Sequence, residues 1–149
     1  MSKKQVGPKP GPSLAPLGPG QAARSEAHEQ NDLRQVLDLL RLSWFHVPNG
    51  ELRDPVTAAR LTSLGVKRGV PDVLITSRPP SRPEARGVAI ELKRRSGGTV
   101  SPDQKRWLAQ LEQDGWVVAV CRGSDEAVAF LASLGWSLEA GRVLGGSAC

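Results

Sequence analysis

Asp72, Glu91 and Lys93 are the residues whose types and spacing are best suited to chemistry. Residues two apart in a β-strand point to the same face, so Glu91 and Lys93 are predicted to project together while Leu92 turns into the core. Asp72 opens the preceding strand-like run, and pairing of the two runs across the loop 77–87 would bring its carboxylate beside that of Glu91. Two carboxylates on one face repel each other strongly unless a cation lies between them.

The predicted cation is Mg²⁺ or Mn²⁺, because the expected ligands are oxygen atoms and no His or Cys lies nearby in the sequence. The backbone carbonyl of Leu92 is a further candidate ligand. A divalent ion held in this way polarises a phosphoryl oxygen and lowers the pKa of bound water, while Lys93 can orient that water or stabilise developing negative charge. The pattern therefore indicates phosphodiester hydrolysis. On spacing alone, a surface Glu–Lys ion pair in an ordinary protein is the commoner explanation.

Basic residues cluster close to these positions and favour a polyanionic partner, of which nucleic acid is the commonest. Five of them are candidates for contacts with DNA phosphates: Lys67, Arg68, Arg94, Arg95 and Lys105. The formal net charge of +5 is less informative, since residues 1–24 hold four of the 20 basic residues and none of the 15 acidic ones. The remaining chain is almost neutral, so the local clusters carry more weight than the overall charge.

The elements that must position these residues follow from hydrophobic periodicity and from turn residues. Helices are predicted over 26–43, 55–64 and 124–134, and strands over 73–76, 88–92 and 117–121, with a further short strand at 136–138. The clearest helix start is Ser101-Pro102-Asp103-Gln104, which combines an N-cap, an N1 proline and a capping-box glutamine. Two parallel strands joined by such a helix form a βαβ unit, so the order of elements predicts an α/β fold.

A chain of 149 residues has room for one domain. Residues 1–24 are rich in proline and glycine and are predicted to form a disordered basic tail, followed by an ordered domain over 25–135 and a short C-terminal extension over 136–149. No apolar run is long enough to cross a membrane, and two cysteines are too few for a disulfide scaffold. The expected location is the cytoplasm.

The ordered set of motifs resembles the VRR-NUC family of the PD-(D/E)XK nuclease superfamily. The motifs that carry the resemblance are Gly69–Ile75, Ile90–Lys93 and Ser101–Gln104, followed by Trp107-Leu108 and Gly115. The upstream runs Phe45–Gly50 and Leu64–Gly69 are similar to those of stand-alone members, including bacteriophage ones. The resemblance covers about 25–132 and implies a restriction-endonuclease-like fold, in which helices flank a mixed central sheet. It also implies that the protein acts in a bacterial or phage-infected cell.

The resemblance also implies roles for individual residues. Asp72 and Glu91 would be metal ligands, and Lys93 would be the catalytic lysine. Gln104 matches a family glutamine that lies beside the active site; the capping box is the alternative role, and both can hold. Membership would make the chain an Mg²⁺-dependent DNA endonuclease.

An acidic residue on the first helix usually completes the site in this family. Glu26 fits the Glu-x-x-x-Gln form through Gln30, and is preferred as a catalytic residue and metal ligand; Glu29 is the alternative. A solvated helix charge would explain either one. The two histidines, His28 and His46, have no second His or Cys at ligand spacing and are predicted to be surface or packing residues.

The small stand-alone members resemble dimeric junction-resolving nucleases. This implies a homodimer that cuts branched DNA such as four-way (Holliday) junctions, since two cuts in opposed strands need two active sites. A nickase or flap-type nuclease of the same chemistry is the alternative within the enzyme class. A DNA-binding module that does not cut is the alternative outside it, and a structural subunit would instead show a large exposed apolar face.

Overall fold

The computed structural model describes residues 24–49, 54–139 and 142–144. The helices in these residues are Glu26–Leu39 (α1), Pro55–Ser63 (α2), Pro102–Gln113 (α3) and Ser124–Ser133 (α4). The strands are Trp44–His46 (β1), Val73–Ile75 (β2), Val88–Lys93 (β3), Val117–Arg122 (β4), Ser137–Glu139 (β5) and Arg142–Leu144 (β6). The predicted tail lies outside the described residues except for Arg24, and so does the end of the predicted C-terminal extension.

The central sheet has the strand order β1-β2-β3-β4 and is mixed. β1, β2 and β3 form an antiparallel meander, whereas β4 runs parallel to β3 and is reached through α3. The predicted α/β class and the βαβ unit are therefore confirmed. Val73 pairs with Ile90, so the residue before β2, Asp72, lies level with Glu91 at the same end of the sheet.

The two faces of the sheet differ in what covers them. One face packs against α1 and α4 through the hydrophobic core, in which Leu33, Leu37, Ile90, Leu92 and Leu131 are fully buried. Burial of side chains of this size stabilises the fold by roughly 1.5–3 kcal/mol each. Because strand side chains alternate, Glu91 and Lys93 project to the opposite face, where the first turn of α3 lies.

Helix α1 ends earlier than predicted, at Leu39 rather than 43. Arg41 adopts a left-handed conformation with φ 54°, and the N–H of Leu42 donates to the carbonyl of Leu37 while that of Arg41 donates to Asp38. These two bonds form a Schellman motif, which normally contains glycine at the left-handed position. The sequence has arginine there, so it gave no indication of the stop.

The C-terminal part also differs from the prediction. The short strand lies at Ser137–Glu139 rather than 136–138, and it pairs with β6, which was not predicted. Trp136 is only 4% exposed and belongs to the hydrophobic core, although it lies beyond the predicted domain end at 135. In the described part of the chain, no helix is long and apolar enough to cross a membrane.

Candidate active site

An open pocket of about 570 Å³ lies at the end of the sheet where Asp72 precedes β2 and Lys93 ends β3. It is formed by α1, the end of β1 and the residues after it, the starts of β2 and α3, and the end of β3. Its lining residues are Glu26, Ala27, Gln30, His46, Asn49, Asp72, Glu91, Lys93 and Gln104. All five side chains predicted to be catalytic therefore line one cavity.

Asp72 and Glu91 form the acidic centre of the pocket. The Oδ2 atom of Asp72 accepts a hydrogen bond of 2.9 Å from the backbone N–H of Leu92. Burial raises the pKa of Asp72 despite this bond, and the charge of Glu26 raises it further. Burial and the charge of Asp72 raise the pKa of Glu91 to about 7, even though Lys93 opposes the shift. Both carboxylates are thus held where their negative charge is destabilised.

Lys93 and Gln104 contact the buried carboxylate of Glu91. The Nζ atom of Lys93 lies 2.7 Å from Oε1 of Glu91 and donates to Oε1 of Gln104 at 3.0 Å. The Nε2 atom of Gln104 donates to Glu91, while its Oε1 also accepts from the N–H of Ser101 at 2.8 Å. Gln104 therefore serves the capping box of α3 and the pocket at the same time, as both sequence interpretations proposed.

The chain before Asp72 is held from the side of β1. The carbonyl of Asp72 accepts from the N–H of Val47 at 2.9 Å and from Nδ1 of His46 at 2.8 Å. The side-chain amide of Asn49 donates to the carbonyl of Val70 at 2.6 Å. His46 and Asn49 thus fix the backbone that carries the Asp72 carboxylate. Sequence reasoning treated His46 as a surface or packing residue and did not single out Asn49 as a site residue, because a three-residue strand has too few side chains to reveal its register.

Gly69 brings the same segment against the start of α3. Its φ is +78°, and a Cβ atom at this position would lie 2.6 Å from the carbonyl carbon and the Cβ of Asp103 and 2.8 Å from the backbone nitrogen of Gln104. Only a residue without a side chain allows this approach. Gly69 therefore sets the distance between the Asp72 segment and the helix turn that presents Gln104.

The structure separates the two candidate acids of α1. Glu26 lines the pocket, whereas Glu29 is fully buried elsewhere. Glu29 accepts from Nε of Arg95 at 2.6 Å and from both the N–H and the Oγ of Ser124 at 2.7 Å. The hydrogen bond from Arg95 is the main reason why the pKa of Glu29 is lowered to about 2. Glu29 thus ties α1 to the end of β3 and to the start of α4, whose N-cap, Gly123, has no side chain to offer.

Replacing Glu26 and Glu29 separately by alanine is expected to affect the free energy of unfolding very differently. Glu26→Ala should leave the free energy of unfolding nearly unchanged, because the side chain lies at an exposed position of α1. Glu29→Ala should lower it by about 3 kcal/mol, since it leaves the buried N–H and hydroxyl of Ser124 without their acceptor. Urea unfolding of both variants measures the difference, and equal losses of stability would contradict the assignment.

The pH dependence of this contact has a defined sign. The pKa of Glu29 is lower in the folded protein than its usual value of 4.5. The ionised side chain therefore stabilises the fold above pH 4.5, and this stabilisation is lost as the pH falls toward 2. Stability measured across this range should therefore decline less steeply in Glu29→Ala than in the wild-type protein.

The five basic residues predicted to contact DNA do not share one environment. Lys67, Arg68, Arg94 and Lys105 are exposed, and none forms an ion pair with a residue that the structure describes. Arg95 pairs with Glu29 and, at 2.8 Å, with Asp125. Its charge is therefore largely compensated within the protein, and its assignment to DNA binding stays a prediction that the geometry does not favour.

The oxygen atoms of the pocket suit a divalent cation that keeps part of its hydration shell. Oε2 of Glu91 is buried and has no hydrogen-bond partner among the described residues. The N–H of Leu92 points toward Asp72, and in a strand the N–H and carbonyl of one residue share an edge, so the Leu92 carbonyl points to the same side. No three His, Cys, Asp or Glu side chains in the described ranges are gathered closely enough to hold a metal alone. Two carboxylates and a backbone carbonyl are oxygen donors of the kind that Mg²⁺ takes, with water and substrate phosphate as further ligands.

Comparison with known families matches residues 24–125 to the VRR-NUC domain. A solved structure described as a VRR_NUC domain protein is similar to this one with a TM-score of 0.55 and 22% sequence identity, covering 71% of this chain and 86% of that chain. At this level of identity the likeness shows the fold, and it is consistent with the restriction-endonuclease-like architecture that the sequence predicts. Comparison with curated proteins gives no match.

Proposed function

Because the chain belongs to the VRR-NUC family and is therefore a nuclease of the PD-(D/E)XK type, we propose that it hydrolyses DNA phosphodiester bonds with Mg²⁺ or Mn²⁺ as cofactor. The observation that carries this proposal is the pairing of Asp72 and Glu91, whose pKa values are both raised, with Lys93 at 2.7 Å from Glu91. Such a concentration of negative charge has no purpose in a protein that only binds phosphate, because it repels the ligand.

Two side chains and one backbone carbonyl are proposed to hold the cation: Asp72, Glu91 and the carbonyl of Leu92. Nucleases of this family usually use divalent metal ions, and when bound such an ion lowers the pKa of water and neutralises charge on the phosphoryl group. Glu26 faces the same pocket and is proposed to complete the acidic set through a bound water molecule.

Lys93 and Gln104 are proposed to act on the substrate side. The Lys93 ammonium can donate to a water molecule or to a non-bridging phosphate oxygen as negative charge develops there, which stabilises the transition state. Gln104 accepts from that ammonium and donates to Glu91, so it fixes the direction in which Lys93 points. Exposed Arg94 and Lys105 lie next to these residues in the sequence and are proposed to bind neighbouring phosphates.

The preferred substrate is proposed to be branched DNA such as a four-way junction, cut in the cytoplasm by a homodimer. The described residues of one chain form one set of Asp72, Glu91 and Lys93, and paired cuts in opposed strands require two such sets. A nickase or flap-type nuclease would use the same pocket with one set and is the second candidate.

The proposal is tested by incubating the protein with labelled four-way junction, flap, nicked and linear duplex DNA, in Mg²⁺ or in chelator. Cleavage is expected only with the metal, and Lys93→Ala should lower the rate by about 10²–10³-fold, because it removes a donor to developing charge. Arg106→Ala is a matched control, since Arg106 is an exposed cation on α3 paired with Asp103.

Two results would refute the proposed reaction: no metal-dependent cleavage of any substrate, or an unchanged rate in Lys93→Ala. The choice of DNA is decided separately. Paired cuts across a junction by a dimer, at a rate that falls with dilution, support the branched substrate. Equal cutting of linear and nicked duplex by a monomer would favour the second candidate.

A further inference from the structure

The outer face of α2 is largely exposed to solvent. No residue of Pro55–Ser63 is buried. Val56 at its start and Leu64 at its end are 78% and 71% exposed, which makes them the two most exposed large hydrophobic side chains among the described residues. Large apolar side chains that are mostly exposed to solvent and lie near one another are a feature of surfaces that bind something else.

These apolar residues share one face of the helix with a cation. Val56, Arg60 and Leu64 recur at a spacing of four, so they lie above one another along the helix axis. The half-buried residues, Ala58 and Leu61, lie on the other side, toward the domain. The outward-facing stripe therefore consists of one basic residue between two apolar ones.

The charge has a single sign from Pro55 to Pro71, and the acidic residue before this range, Asp54, is the N-cap of α2. Residues 55–71 contain three basic side chains, Arg60, Lys67 and Arg68, and no acidic one. All three are exposed, and none pairs with an acidic residue in the part of the chain that the structure describes. A segment of this kind is complementary to a polyanion.

The C-terminal end of the segment lies at the pocket. Asp72, which follows it, is a lining residue. Gly69 packs against the backbone of Asp103 and Gln104. The basic surface that ends at Lys67 and Arg68 is therefore continuous with the site that receives the phosphate to be cut.

We propose that Val56, Arg60 and Leu64, together with Lys67 and Arg68, form a surface that binds the DNA next to the scissile phosphate. This inference rests on the proposed function and adds a determinant of substrate structure to it. The three cations contact backbone phosphates, whereas Val56 and Leu64 contact apolar faces of bases, which are accessible where strands separate at a branch.

A second copy of the chain fits this face less well. In a two-fold contact centred on the stripe, the same patch faces itself, so Arg60 would approach Arg60 of the other copy. The nearest acid in the described sequence, Asp54, already accepts from the N–H of Thr57 at the start of the helix. A DNA backbone supplies the missing negative charge.

The test measures DNA binding as a function of salt in a Lys93→Ala background, with Mg²⁺, so that the DNA stays intact. Arg60→Ala is expected to weaken binding to all DNA forms and to lower the slope of log affinity against log salt by about 0.9, the value for one lost phosphate contact. The double change Val56→Ser and Leu64→Ser should weaken binding to the junction more than to linear duplex. Arg78→Ala is the matched control, because Arg78 is exposed and follows the opposite end of β2.

Each outcome decides the proposal. It is wrong if Arg60→Ala has the same affinity and salt slope as the background, or if the serine variant binds junction and duplex with equal loss. It is also wrong if the variants change only the oligomeric state in the absence of DNA, since the face would then join two copies. All positions are exposed, so unchanged thermal midpoints are expected and show that folding is intact. Failure of the wild-type protein to cut DNA would refute the proposed function instead, and would not alter these binding results.

Discussion

Glu91→Gln is expected to abolish cleavage and, in the same protein, to increase the stability of the metal-free fold at pH 8. The amide cannot supply the negative charge that a divalent cation needs from this position, so the rate should fall on the order of 10³-fold or more. Glu91 is 1% exposed, and its carboxylate faces that of Asp72. Asp72 is half-buried. Removing one of the two like charges relieves repulsion, while Gln104 keeps an oxygen to which it can donate.

The stability gain should depend on pH in a defined direction. The pKa of Glu91 is about 7 in the folded protein and has an ordinary value of 4.5, so the folded state holds this proton more tightly than the unfolded state. Wild-type stability should therefore fall as the pH rises from 4.5 to 7, by on the order of 3 kcal/mol, and the glutamine variant should lack this decline.

Urea unfolding in chelator at pH 4.5 and pH 8 measures the stability gain of Glu91→Gln and its dependence on pH. The two proteins should differ little at the lower pH and most at the higher one. Added Mg²⁺ should raise the stability of the wild-type protein and leave Glu91→Gln unaffected, because only the former keeps two charged ligands. A variant that is less stable than wild type at pH 8 in chelator would contradict the proposed repulsion.

Gly69→Ala is expected to impair the fold and the site together, although the residue carries no functional group. Its φ of +78° disfavours any side chain, and a Cβ would lie 2.6 Å from Asp103 and force the backbone apart. The combined cost is about 2–4 kcal/mol. Because the displaced turn carries Gln104, Lys93 should lose its fixed orientation. A shift of about 1 Å in an active site can lower the rate about 10²-fold, so cleavage should slow by a similar factor.

Gly65→Ala is the matched control for this change. Gly65 has a φ of +95°, but a Cβ there would meet nothing within 4 Å. It should therefore show only the cost of the left-handed backbone, about 1 kcal/mol, and a normal cleavage rate per folded molecule. Thermal unfolding and single-turnover cleavage of both variants separate the cost of the left-handed backbone from the cost of the clash with α3. Equal effects of the two substitutions would show that the approach of Gly69 to α3 is unimportant.

The parts of the site that the sequence predicted are those set by local geometry. Alternation in a strand puts Glu91 and Lys93 on one face whatever the rest of the fold does, and a capping box places Gln104 on the first turn of α3. Predicting the position of Asp72 required one non-local step, the pairing of two strand-like runs. That pairing was easy to predict because only a short loop separates the runs in the sequence.

The parts that the sequence did not reveal depend on residues far apart in the chain. Arg95 follows Lys93 closely and is predicted from the sequence to contact DNA, yet its partners are Glu29 and Asp125, on helices whose packing the sequence did not reveal. The register of β1, which brings His46 beside Asp72, is equally hidden in a three-residue strand. Helix α1 ends at an arginine in a left-handed conformation, where the usual glycine is missing.

The hydrogen bonds between Glu29 and Ser124 impose an order on folding during synthesis. The two residues are 95 positions apart, so at roughly 5–20 residues per second the ribosome takes roughly 5–20 s to make the second after the first. Until then the carboxylate of Glu29 has neither of its Ser124 donors and remains in water. Helix α1, which carries Glu26 one turn earlier, completes its contacts only once α4 has emerged. The pocket wall made by the first helix is thus among the last to be completed, and a nascent chain carries its acidic pair before it carries a finished site.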